Sequence, residues 1–230
     1  IVGQLDTNSI TNCSSSLNIS LSVTDSSGSG ENGNTVTQSN TGGIVGGFEN
    51  SSYASVSQCA YSGTITTSGT GAFINLGGIV GIAGTISNCT TSGAINMAGG
   101  RMENVGGIAG RVYSSTTNCI SNMSITLNSN ANKYGISNIQ YVGGLVGNGV
   151  TITNCTTNGT ITASASNSFD SYYAQINYVG GLVGTAYTIS SSSASGAINI
   201  KSGKSAQYVG GIAGYLRNGV NKSYSTMNIS

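Results

Sequence analysis

Proline, tryptophan and histidine are absent from the 230 residues, and charged side chains make up only 6% of the chain. Without histidine a Ser-His-Asp triad cannot form, and no imidazole is present to activate a cysteine nucleophile. The net charge of +1 offers no basic face to nucleic acid or to an anionic membrane. No run approaches the ~18 apolar residues that a membrane-spanning helix needs. These absences argue against triad hydrolases, nucleic-acid binders and membrane-inserted proteins.

The residues that are plentiful are glycine, serine, threonine and asparagine, with 36 glycines in total. They favour many tight turns and short strands over helices. A neutral surface rich in hydroxyls and amides is typical of extracellular or cell-surface proteins. The chain opens with neither methionine nor a basic-then-apolar signal peptide, so we expect a mature or excised segment.

The stretch YVGGLVG occurs at 141–147 and again at 178–184, and related copies recur along the chain. Each copy reads G-G-[IL]-[VA]-G, followed by a strand that ends in Asn-Cys, a polar turn and a strand centred on Ile. We predict one repeat array over residues 1–230. Its units lie at approximately 1–41 (front missing), 42–76, 77–105, 106–142, 143–179, 180–209 and 210–230 (truncated).

This repeat predicts an all-β fold, a parallel β-solenoid of about seven coils with roughly three short strands in each coil. One unit cannot bury its Val, Ile and Leu side chains alone, whereas units stacked ~4.8 Å apart can. A sandwich of ordinary hairpins is the alternative. Glycine pairs are expected at a repeated corner where the backbone turns or approaches closely. The pairs are Gly42, Gly43, Gly77, Gly78, Gly106, Gly107, Gly143, Gly144, Gly180, Gly181, Gly210 and Gly211.

The glycine-led unit resembles the GLUG-motif repeat, which is named for its Gly-Leu-any-Gly core. Leu145 and Leu182 match that core most closely, and the other units carry Ile. GLUG repeats occur in secreted and surface proteins, including adhesin-like proteins and non-catalytic regions of IgA-specific peptidases. The resemblance therefore implies an exported scaffold, and it carries over no catalytic residue because the motif has none.

All cysteines occupy one repeat position and are expected to stack in a ladder: Cys13, Cys59, Cys89, Cys119 and Cys155. The coil spacing lies within the range that a disulfide permits. However, Ser192 and Ser223 hold the same position in the last two units, so pairing is not essential. A linear column without histidine disfavours zinc. We therefore expect a mostly reduced, buried ladder that acts as a small apolar filler.

A second repeat position lies two residues before each Gly-Gly pair. It holds Asn40, Asn75, Asn104, Tyr141, Tyr178 and Tyr208. The pattern predicts an amide ladder that continues into an aromatic stack. The alternative, functional interpretation is an aromatic strip on which sugar rings lie.

Nine Asn-x-Ser/Thr sequons make this chain a candidate glycoprotein if it is exported. Composition alone predicts nearly as many sequons, so their number does not indicate selection for glycosylation. The candidate acceptors are Asn12, Asn18, Asn50, Asn88, Asn122, Asn154, Asn158, Asn221 and Asn228.

No catalytic, cofactor or metal site is predicted, and we expect the protein not to be an enzyme. GSGENG at 28–33 fits a dinucleotide-binding pattern, but no helix-forming segment follows it. The six carboxylates are scattered over different units. Glu49 and Glu103 are the candidate pair for glycoside hydrolysis, but they do not share a repeat position.

Two functions fit these features. The chain opens within the glycine segment and closes after the Ile-centred strand, so end-to-end stacking would keep the repeat in phase. This predicts a structural fibre or surface stalk, whose partner is a second copy or further repeats of the same chain. The alternative is an adhesin-type module that recognises a glycan or host-surface protein through loops at one corner. Phe169, Tyr172 and Tyr173 are its candidate contacts.

Overall fold

The computed structural model describes residues 2–6, 8–23, 37–48, 50–130, 137–166 and 174–230. All regular elements in these residues are β-strands, and the strand pairs are all parallel. The predicted parallel β-solenoid is thereby confirmed. In this part of the chain no helix has the length and apolarity to cross a membrane.

The strands group into seven coils. Coils 1 and 2 contain β1 (Val2–Leu5), β2 (Ser9–Thr11), β3 (Ser14–Ser15), β4 (Ile19–Val23), β5 (Thr37–Gly42), β6 (Val45–Phe48), β7 (Ser55–Ser57), β8 (Ala60–Tyr61) and β9 (Thr64–Gly69). Coils 3 and 4 contain β10 (Ala72–Gly77), β11 (Val80–Ser87), β12 (Thr90–Gly99), β13 (Arg101–Gly106), β14 (Ala109–Thr117) and β15 (Ile120–Asn130). Coil 5 contains β16 (Ser137–Gly143), β17 (Val146–Asn148), β18 (Thr151–Thr153), β19 (Thr156–Thr157) and β20 (Thr160–Ser166). Coils 6 and 7 contain β21 (Ala174–Gly180), β22 (Val183–Ser190), β23 (Ser193–Ser202), β24 (Ser205–Gly210), β25 (Ala213–Asn221) and β26 (Tyr224–Ile229).

Three sheets form the sides of the solenoid. Sheet 1 has six strands, of which β5 is the first and β24 the last along the chain. Sheets 2 and 3 have ten strands each. Strand β14 lies in sheet 2, and β15 lies in sheet 3. Each coil passes from sheet 1 to sheet 2 through the Gly-Gly corner, and from sheet 2 to sheet 3 at the residue before the cysteine position. The variable inserts connect sheet 3 to the next strand of sheet 1.

The core consists of columns of identical or similar side chains. The clearest column contains one Ile from the longer sheet 3 strand of each coil, from Ile19 through Ile65 and Ile95 to Ile229. Ile65 and Ile95 are both 0% exposed. Burying a side chain of this size stabilises the fold by roughly 1.5–3 kcal/mol. The Ile-centred strand of each unit therefore supplies one slice of a continuous core.

Backbone hydrogen bonds connect the coils even at the glycine corner. The amide of Ile79 donates to the carbonyl of Ile108 at 2.9 Å, and Ile108 donates to Leu145 at 2.8 Å. Leu145 in turn donates to Leu182 at 2.9 Å. The turn between sheets 1 and 2 is thus itself part of the ladder that joins successive coils.

The glycine corner leaves no room for a Cβ atom. A Cβ on Gly143 would lie 2.1 Å from the carbonyl oxygen of Val146, and one on Gly144 would lie 2.2 Å from that of Gly181 in the next coil. The third glycine of the motif has the same role, because a Cβ on Gly147 would lie 2.6 Å from the carbonyl carbon of Asn104. The sequence prediction included only the glycine pairs and missed this third position.

We predict that Gly144→Ala lowers the free energy of unfolding by about 3 kcal/mol, because the added methyl group must push two coils apart. Urea unfolding followed by circular dichroism measures the change. Gly219→Ala is the matched control, since a Cβ there meets nothing within 4 Å, and it should change stability by less than ~0.5 kcal/mol. Equal stability of the two variants would contradict the close-approach explanation.

Candidate functional site

The structure places all five cysteines in one column at the corner between sheets 2 and 3. They are free thiols, and all are buried except the partly exposed Cys13. The thiol of Cys89 donates to the carbonyl of Ser87 at 3.2 Å, and its sulfur accepts the amide of Cys59 at 3.5 Å. Ser192 makes the equivalent bonds, to Ser190 at 2.7 Å and from the amide of Cys155 at 3.1 Å.

These hydrogen bonds explain why serine can replace cysteine in the last coils. The predicted role as an apolar filler is incomplete, because the column residue also donates within its own corner and accepts an amide from the preceding coil. Both sulfur and hydroxyl groups provide one donor and an acceptor. The position therefore requires a small side chain with hydrogen-bonding capacity.

The thiols of this column are poor nucleophiles. A hydrogen bond with the thiol of the next coil raises the pKa of Cys89 and of Cys119 to about 12, and burial adds to the effect. The same causes raise the pKa of Cys59. The hydrogen bond with Cys119 lowers the pKa of Cys155, but that thiol is buried too. Because thiolate is the reactive form, the geometry indicates a structural column.

We predict that Cys119→Ser is tolerated, because the hydroxyl preserves both hydrogen bonds. Cys119→Val, which is similar in size, should lower the free energy of unfolding by about 1–3 kcal/mol because the amide of Cys89 loses its acceptor. The two urea midpoints give the comparison. If valine proved as stable as serine, the column would be an apolar filler after all.

The residue two before each Gly-Gly pair adopts a left-handed backbone conformation in every coil where it is described. Its φ is 57° in Asn75, 54° in Asn104 and 57° in Tyr141. Asparagine tolerates this region, whereas tyrosine rarely occupies it. The sequence predicted this column but not its left-handed backbone conformation. The asparagines in the early coils could have indicated it, because asparagine tolerates that conformation.

The side chains of this column form the predicted ladder and stack. The amide of Asn75 donates to Asn40 at 2.9 Å, and the amide of Asn104 donates to Asn75 at 2.8 Å. The ladder ends there, and the buried Oδ1 atom of Asn104 has no hydrogen-bond partner among the described residues. From the next coil onward tyrosine rings stack, with centroids 5.0 Å apart between Tyr141 and Tyr178.

We predict that Asn75→Gly destabilises the fold by about 1–3 kcal/mol, because both amide contacts are lost. Asn75→Ala should cost about 1 kcal/mol more, because alanine also strains the left-handed backbone. Thermal unfolding of the two variants separates the two effects. Equal stability of the glycine and alanine variants would show that the backbone conformation carries no cost.

A second column, on sheet 2, faces the tyrosine stack across the Gly-Gly corner. It contains Arg111, Asn148, Thr185 and Tyr215 in successive coils. The ring of Tyr215 lies edge-on to that of Tyr178, with centroids 6.1 Å apart. Because the two middle residues are shorter than the outer two, a cleft of about 330 Å³ opens between the columns.

The cleft combines aromatic rings with two cations. It is lined by Arg111, Tyr141, Asn148, Gly149, Val150, Tyr178, Thr185, Ala186, Tyr187, Tyr215 and Arg217. Arg217 lies 5.1 Å above the Tyr187 ring and donates to its hydroxyl oxygen at 3.2 Å. Burial and the neighbouring Tyr178 raise the pKa of Tyr141, so its hydroxyl is a neutral donor. Two guanidinium groups and several hydroxyls thus give this cleft the hydrogen-bond donors that suit a polar anion.

The candidate glycosylation sites are all exposed. Several nevertheless engage in contacts between coils. The amide of Asn158 donates to Asn122 at 2.8 Å, and that of Asn154 donates to Asn118 at 2.7 Å. Glycosylation stays a prediction. A glycan on Asn154 or Asn158 would be attached to the same side-chain nitrogen that donates the hydrogen bond to the preceding coil.

Most of the remaining predicted site residues lie outside the part of the chain that the structure describes. Phe169, Tyr172 and Tyr173 lie outside the described residues, so the binding-loop hypothesis stays a prediction. Glu49 also lies outside them, and Glu103 forms an ion pair with Arg101. Across the described ranges no cluster of three His, Cys, Asp or Glu residues could hold a metal ion.

No family model, curated protein or solved structure matches this chain. The resemblance to GLUG repeats therefore stays a prediction from the sequence.

Proposed function

We propose that this chain is a non-catalytic, extracellular structural repeat protein that builds a fibre or a surface stalk by coil stacking. Its simplest form is the head-to-tail protomer of a filament. The observation that carries the proposal is the backbone ladder, which continues through strands and corners from coil to coil. The low charge and the hydroxyl- and amide-rich composition support an extracellular location.

The face of coil 7 supports stacking of a further coil. Ile198 in coil 6 is 0% exposed, whereas Ile229 in the same column is 51% exposed because no coil covers it. Val220, on sheet 2 of coil 7, is 53% exposed. An uncovered coil also presents strand groups that can pair with another backbone. A second copy of the chain, or further repeats of the same chain, would bury this face and extend the core.

We predict that the purified chain forms fibres one solenoid wide under electron microscopy, increasingly so at higher concentration. Ile229→Lys should abolish them, because it places a charge at the end of the apolar column. Asn228→Lys is the matched control on the same strand, and it should still form fibres because Asn228 pairs in register with the outward-facing Ala197. Wild-type chains that stay monomeric would contradict the filament form of the proposal.

A further inference from the structure

We propose that the cleft between the tyrosine stack and the facing column of sheet 2 binds uronic-acid oligosaccharides. Arg111 and Arg217 would hold ligand carboxylates, and the tyrosines, Asn148 and Thr185 would contact the sugar rings and hydroxyls. This proposal is independent of fibre formation, since all of these residues belong to one chain.

The charges of the cleft select an anion. Arg111 and Arg217 are the charged residues that line it, and no carboxylate is among the described lining residues. Arg111 lies 4.9 Å above the Tyr113 ring, and Arg217 lies above Tyr187. The ion pair found in the described part of the chain joins Arg101 and Glu103 instead. Among the described residues neither cleft guanidinium group has an acidic partner, and each lies over an aromatic ring. The planar donors of both groups suit a carboxylate.

The spacing of the two arginines favours an oligomeric ligand. Arg111 lies in coil 4 and Arg217 in coil 7, so their backbones are three coil steps, roughly 14 Å, apart. A single small anion cannot bridge that distance. An oligosaccharide with a carboxylate on each ring presents charges at regular intervals along an extended chain, and it can reach both ends of the cleft.

The neutral groups between the arginines favour a sugar over an acidic peptide. Tyr141, Tyr178 and Tyr187 combine apolar ring surface with hydroxyl groups that donate and accept. Asn148 and Thr185 add further donors and acceptors on the opposite column. Sugar rings have the same combination of apolar faces and hydroxyls. A groove lined by Ser14, Ser62, Thr91 and other neutral residues offers hydroxyls but no charge, and it does not fit an acidic ligand.

Isothermal titration of the full chain with oligogalacturonate and with hyaluronan fragments tests the proposal. At least one of the two should bind at pH 7. The methyl ester of that ligand, which has lost its charge, should bind at least about tenfold more weakly. Affinity should fall as NaCl rises. Absence of binding by both acids, equal binding of the ester, or equally tight binding of hexaglutamate would overturn the proposal.

Variants of the same chain locate the site. Arg111→Gln and Arg217→Gln should each weaken binding at least about tenfold, since each removes a charged hydrogen-bond donor. Lys201→Gln removes one positive charge from an exposed position on sheet 3, away from the cleft, and should leave the affinity within about twofold. Circular dichroism of each variant confirms an unchanged fold. Binding that persists undiminished in both cleft variants would place the ligand elsewhere and overturn the assignment.

Discussion

The structure depends on one constraint, which is that each coil must hydrogen-bond to the coils above and below it along nearly its whole path. Parallel strands satisfy this requirement along the sides, and the corner amides satisfy it between sheets 1 and 2. Equivalent residues are therefore held at one fixed spacing, and side chains at each position form columns. The column of isoleucines, the thiol column and the glycines that permit close approach all follow from this fixed stacking.

The left-handed corner shows where local preference and stacking conflict. Asn75 and Asn104 suit this backbone conformation and satisfy each other through their amides. Tyr141, Tyr178 and Tyr208 adopt the same conformation at a cost of about 1–2 kcal/mol each. Ring stacking offsets part of that cost, with the last two centroids 4.9 Å apart. Proteins tend to break such local rules at functional sites, and Tyr141 and Tyr178 line the cleft.

The fold and its columns could be predicted from sequence because a repeat reveals equivalent positions directly. The column of Cys13 to Cys155 and the pairing of the central isoleucines both follow from counting along each unit. The role of Gly147 was missed because it depends on how closely the corner of the preceding coil approaches. The cleft was missed for a related reason. Arg111, Asn148 and Thr185 belong to a different sheet from the tyrosines, and only the turn geometry brings the two columns face to face.

A solenoid separates the requirements of folding from those of recognition. Because the backbone ladder uses no side chains, an outward position can change from coil to coil without disturbing the stack. In coils 2 to 4 the position two before the Gly-Gly pair carries asparagine, and the side-chain amides of successive coils hydrogen-bond to one another. In coils 5 to 7 the same position carries tyrosine, and the facing column changes from Arg111 to short residues and then to Tyr215. A recess bordered by rings and cations thus arises from substitutions in two columns, beside a corner whose left-handed conformation recurs from coil to coil.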